Sequence, residues 1–133
     1  MGNNSIVLLL DLENESLEIK TIKNDLSTVL FHIINNARDI LLERKIQKAF
    51  IKITAKDQKG EVVIEIEDNG GGVSSEIINK IFDPYFTTKH KSQGVGMGLY
   101  ICHIIMSKNL QSQISVSNTV CGAKFTINLK NLT

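Results

Sequence analysis

Gly94, Gly96 and Gly98 stand at alternate positions just before an apolar run that begins at Leu99, and Gly70-Gly71-Gly72 follow an apolar alternation that ends in Asp68. A backbone without Cβ atoms can lie directly against phosphate, and a helix start adds unpaired N–H groups and a positive dipole end. Spaced glycines before a helix therefore suit a phosphate cradle, while a carboxylate at a strand end can accept hydrogen bonds from a base amine. Either feature alone is common, because glycine serves loop geometry and Asp before glycine serves as a turn residue. Together they point to a nucleotide site.

A second polar group sits on a long helical pattern. His32, Asn35, Asn36 and Asp39 fall on one side of it, since positions three and four apart are neighbours. A solvated face is the ordinary fate of such residues. Asparagine is a mediocre helix former, however, and Asn35-Asn36 in mid-helix costs a few tenths of a kcal/mol per residue that Lys or Glu would not. That cost favours a functional role. Lys89, followed by His90 and Lys91, adds cations within a polar, glycine-rich stretch between Tyr85 and Gly96 whose composition predicts a mobile loop.

The elements that must hold these groups follow from periodicity. Ser5 to Leu12 reads as a strand, and Leu17, Ile19 and Ile22 alternate after a turn at Glu13 to Ser16, which predicts an early hairpin. Leu26, Val29, Leu30, Ile33, Ile34, Ala37, Ile40 and Leu41 then recur at threes and fours, one face of a long helix capped by Asn24 or Asp25. Ala49 to Ala55 and Glu61 to Asp68 predict strands joined at Lys59-Gly60, with Val62, Ile64, Ile66 and Asp68 on one side. A short helix is predicted over Ser74 to Ile81, stopped at Asp83-Pro84, and a second strong helix over Gly98 to Lys108. Gln113 to Ser117 and Lys124 to Leu129 close the chain as a hairpin. The fold class is α+β, helices layered over a mixed sheet.

Composition narrows the function. With 133 residues, 42% of them hydrophobic and 22% charged, the chain has the size and core of one domain, read as 1–133. Its net charge of +1 excludes a strongly cationic surface for nucleic acid or anionic membrane. No apolar stretch reaches the roughly 20 residues that span a bilayer. Cys102 and Cys121 lack metal-ligand spacing and fit reduced thiols in a cytoplasmic protein.

The motifs occur in a particular order. His32-Ile33-Ile34-Asn35-Asn36-Ala37, Asp68-Asn69-Gly70-Gly71-Gly72, Phe82-Asp83-Pro84-Tyr85-Phe86-Thr87-Thr88-Lys89 and Gly94-Val95-Gly96-Met97-Gly98-Leu99 resemble the N box, first glycine box, F box and second glycine box of one family. That family is the ATP-binding catalytic domain of bacterial sensor histidine kinases, within the wider group of gyrase-like, chaperone-like and mismatch-repair ATPases. Gly122-Ala123-Lys124-Phe125 is similar to its last glycine box, and the resemblance runs from Ser5 to the C-terminus. It implies a Bergerat-type fold, a two-layer sandwich of about three helices on a mixed, mostly antiparallel five-stranded sheet.

The resemblance also implies roles. Asp68 would accept the adenine amine, a preference for ATP over GTP because guanine presents an acceptor there. Asn36 would bind Mg²⁺, an ion that prefers oxygen donors. Gly70, Gly72, Phe86, Thr88, Lys89, Gly94, Gly96, Gly98 and Leu99 would line the nucleotide, with Lys89 neutralising charge as the γ-phosphoryl group transfers. His32, Asn36 and Lys89 form the predicted catalytic set.

This chain departs from the family in two places. His32 stands where histidine kinases carry Asn and related ATPases a hydrolytic Glu, and Asp39 stands where many members have Lys. Neither His32, His90 nor His103 resembles a phosphoacceptor, so the acceptor is expected on a separate dimerisation domain, with a response regulator downstream and little turnover by this domain alone. The isolated domain is expected to be a monomer without nucleic-acid or direct membrane contact; the intact kinase belongs either in the cytoplasm or anchored at the inner membrane. A free-standing serine kinase of the anti-sigma-factor type and a degenerate nucleotide sensor are the alternatives.

Overall fold

A computed structural model describes residues 5–14, 16–84 and 98–132. The sheet has five strands, β1 (Val7–Leu12), β2 (Phe50–Gln58), β3 (Glu61–Asp68), β4 (Gln113–Asn118) and β5 (Ala123–Leu129). Their spatial order is β1-β2-β3-β5-β4. Only the β1–β2 pair is parallel; the other three pairs are antiparallel. The mixed, mostly antiparallel five-stranded sheet is thus as the sequence predicts.

Two α-helices are present among the described residues, α1 (Lys23–Glu43) and α2 (Gly98–Ile104), and α2 runs on into a π-helical turn over Ile105–Asn109. Helix α1 buries Val29, Ile33, Ala37 and Leu41, a row spaced by four residues that faces the sheet. β3, flanked on both sides, buries Val62, Ile64 and Ile66 on its inner face and Val63 on the outer one. Phe125, Ile127 and Leu129 of β5 stand opposite Ile66, Ile64 and Val62 and complete the core with Cys102, Met106 and Leu110. On the outer face Lys124 Nζ pairs with Glu65 at 3.3 Å.

Four expectations are corrected. The early hairpin does not form, because β1 pairs with β2 rather than with Leu17 to Ile22, which are not strand. A parallel pair needs a long crossover, and α1 supplies it. The segment Ser75 to Phe82 forms successive turns instead of a helix, so two helices replace about three. There Ser74 Oγ accepts from Glu76 N and Ser74 O from both Ile77 N and Ile78 N, a capped turn that does not propagate. The N-cap of α1 is Ile22, not Asn24 or Asp25: Leu26 N already donates to Ile22 O, and Asp25 Oδ2 instead accepts from Asn109 Nδ2. Among the described residues no helix is long and apolar enough to cross a membrane. Both cysteines are free, and burial pushes the Cys102 thiol up to about 12.

Two turns set the sheet register. Lys59 and Gly60 both have positive φ, 58° and 83°, and Asp57 Oδ1 accepts from Gly60 N at 3.1 Å. This is the backbone that a two-residue hairpin loop demands, and at its first position asparagine adopts it more readily than lysine. At the other end of β3, the β4–β5 turn presses on Asp68. A Cβ at Gly122 would lie 2.0 Å from the Asp68 carbonyl oxygen. Lys59→Asn is predicted to stabilise the fold by roughly 0.5 to 1 kcal/mol, seen as a higher urea midpoint; a lower one would contradict the turn assignment. Gly122→Ala must move backbone apart and should cost ~1 to 3 kcal/mol. An unaltered midpoint in that variant would show that the two strands are not in such close contact.

Candidate functional site

Asp68 ends the central strand and is only 3% exposed, a rare position for a carboxylate. Its Oδ1 accepts from Gly70 N at 2.8 Å, and the Ala123 N–H also hydrogen-bonds the carboxylate. Burial raises its pKa above the ordinary aspartate value, against the opposing effects of these two N–H groups and of the Arg44 guanidinium; Glu67 adds a smaller upward push. The carboxylate is therefore held by backbone donors in a poorly solvated place. Gly70 belongs there because a Cβ would lie 3.0 Å from both Asp68 Oδ1 and Ile40 Cγ2.

The glycine loop after Asp68 is tied down from three directions. Asn69 accepts from Phe50 N at 2.9 Å and donates to Lys48 O at 3.1 Å, anchoring the loop to the start of β2. Gly71 N donates to Cys121 O at 2.9 Å, and the Asn118 amide closes a ring with Val73, accepting from its N at 2.8 Å and donating to its O at 2.7 Å. Arg44, at the C-cap of α1, donates from Nη1 to Gly70 O at 2.5 Å and to Gly72 O at 3.1 Å. Gly71 and Gly72 have φ of 96° and 81°, a region that favours glycine.

Helix α1 forms the facing wall. His32 lies against the start of α2, since a Cβ at Gly98 would be 3.2 Å from His32 Nδ1, and Ile40 lies against Gly70. Asn36 falls midway between these contacts on the same helical row, which spans about 12 Å over eight residues. Its side chain is half-buried and has no hydrogen-bond partner among the described residues. A free amide oxygen on that wall suits a hard cation that keeps most of its waters. Asp39 pairs with Arg38 at 3.2 Å.

Of the predicted site residues, the fold thus brings His32, Asn36, Asp68, Gly70, Gly72, Gly98 and Leu99 onto α1, the end of β3 and the start of α2. Phe86, Thr88, Lys89, Gly94 and Gly96, and with them the predicted mobile loop, lie outside the described residues. A cavity of about 240 Å³ lined by His103, Ser107, Ser112, Ser115 and Thr126 among others lies at the β4 edge and contains none of the predicted residues. Sequence reasoning missed Arg44 and Asn118. An arginine at a helix end and an asparagine at a strand end carry no sequence signal of a shared target, because that target is backbone.

Comparison with known proteins identifies the family and the fold. Residues 21–133 match the family model for histidine kinase-, DNA gyrase B-, and HSP90-like ATPases. The two-component sensor PprA of Pseudomonas aeruginosa is 31% identical over 109 residues, which cover 80% of this chain and 12% of that protein. The sensor histidine kinase ZraS of Escherichia coli O157:H7 is 32% identical over 115 residues, covering 86% of this chain and 24% of that protein. The chain therefore spans a quarter or less of the length of these relatives. The nucleotide-free catalytic domain of histidine kinase ThkA superposes with a TM-score of 0.81 at 29% identity, over 95% of this chain and 79% of that one. ThkA in complex with the response regulator TrrA shares the fold, with a TM-score of 0.77 at 24% identity over 96% of this chain and 34% of that one. The chain belongs to the histidine kinase-, DNA gyrase B- and HSP90-like ATPases, and its sequence and fold are those of the ATP-binding catalytic domain of the sensor histidine kinases among them.

Proposed function

We propose that the chain is one catalytic domain that binds Mg-ATP and donates the γ-phosphoryl group to a histidine on a separate dimerisation domain of a two-component sensor kinase, from which a response regulator receives it. The observation that carries this reading is the buried Asp68 carboxylate at the end of β3, set beside glycine positions where side chains would collide, with α1 carrying an Asn36 amide that is unpartnered among the described residues. The response-regulator complex of ThkA supports the downstream partner.

Asp68 accepts the adenine amine, a contact that guanine cannot make. The glycine loop lets the base lie close to backbone. Gly98 and the N–H groups at the start of α2 face the phosphates, together with Gly94, Gly96 and Lys89. Asn36 would hold Mg²⁺, which would offset the charge that spreads over the phosphate oxygens. During transfer the bond from the γ-phosphorus to the β–γ bridging oxygen breaks, a bond from phosphorus to the acceptor imidazole nitrogen forms, and ADP leaves. His32, packed against Gly98, occupies the place of the water-activating carboxylate of related ATPases, so ATP is held for the acceptor rather than hydrolysed.

Calorimetric titration with ATP tests the site. Asp68→Asn should weaken binding by ~1 to 3 kcal/mol, because an amide cannot accept from the amine as the carboxylate does; wild-type affinity in this variant would sink the assignment. The same substitution has an opposite effect on the ligand-free fold. The raised Asp68 pKa means that stability present while the group is protonated is lost as pH rises through its folded value. Ligand-free Asp68→Asn should therefore match or exceed the wild-type melting temperature at pH 7 and lose that advantage toward pH 3; a deficit confined to pH 7 would argue against it. Asn36→Ala should weaken ATP binding in the presence of Mg²⁺ and leave metal-free binding nearly unchanged. Equal losses under both conditions would count against metal ligation.

A further inference from the structure

Arg44 lies outside every motif that the nucleotide reading uses, yet among the described residues it is the cation attached to the loop under the base. Its Nη1 bridges Gly70 O and Gly72 O, and the guanidinium curls around Gly71, where a Cβ would be 3.1 Å from Nη1. The loop has no side chains of its own with which to fix its peptide orientations, and glycine samples more backbone conformations than any other residue. Two charge-assisted hydrogen bonds from one guanidinium nitrogen on a helix end therefore select one arrangement of Gly70 to Gly72. The same arginine sits at the C-cap of α1, where a cation is favoured, on the helix that carries Asn36 two turns earlier.

We infer that Arg44 is a positioning residue for the nucleotide: it locks the glycine loop to α1 and sets a cation on the loop whose Gly70 N–H holds the Asp68 carboxylate. This inference rests on the reading of Asp68 given above. The charged groups acting on Asp68 among the described residues are Arg44 at the end of α1 and Glu67 on β3, and they oppose one another, so removing Arg44 leaves burial and Glu67 both acting against ionisation. Arg44 itself is exposed, so its replacement leaves the packed core intact.

The test is ATP affinity from pH 5 to pH 8 for the wild type, Arg44→Gln, Arg44→Lys and Asp68→Asn, with circular dichroism at each pH to verify folding. The titration of ATP itself is common to all four and cancels in the comparison. Arg44→Gln should weaken binding by about tenfold at pH 7, and its acid limb should move to higher pH. Arg44→Lys should restore the position of the acid limb while recovering only part of the affinity, because the ammonium keeps the charge but not the reach and planar geometry of the guanidinium. If Arg44→Gln loses affinity equally at every pH, or loses none while Asp68→Asn binds poorly, the inference is overturned and the site reading stands. If Asp68→Asn binds like the wild type, the site reading fails and the inference goes with it.

Discussion

A carboxylate taken out of water at the end of an apolar strand is costly unless donors meet it, and the described architecture is arranged around meeting that demand. Asp68 is met by the N–H groups of Gly70 and Ala123. The first requires the chain to turn back at once after β3, which only a short glycine segment can do beside Ile40 and Leu41 of α1. The second requires β5 to start beside the carboxylate, which brings Gly122 so close that no side chain fits. Helix, central strand and terminal hairpin thus converge on one point.

Much of this was legible beforehand because burial and period coincide. The four-residue row of α1, the alternation that puts Val62, Ile64, Ile66 and Asp68 on one side, and the terminal hairpin are local patterns with a single solution once a core exists. The failures share a cause as well. Leu17, Ile19 and Ile22 alternate as a strand does, but alternation says nothing about the partner, and β1 finds β2 across a 21-residue helix. The Ser74 segment has a cap and apolar spacing, yet it is too short for helix formation to outweigh its nucleation, and turns suffice to bury Ile81. Arg44 and Asn118 escaped because their partners are main-chain atoms, which every residue type possesses.

The departure at position 32 has a steric reading. His32 meets the first residue of α2, and Gly98 is the residue that leaves room for the imidazole. The start of α2 and His32 are therefore one packing unit. On the same helix Asp39 pairs with its neighbour Arg38 at 3.2 Å.

The parallel pairing of β1 has a spatial corollary. Val7 lies beside Phe50, and the neighbouring Ile51 stands opposite Asp68, so the entry to β1 is at the same end of the sheet as Asp68, two strand spacings or about 10 Å to the side. Leu129 stands opposite Val62, so β5 delivers the chain to the remote end. The chain therefore enters its sheet beside Asp68 and leaves it at the far end.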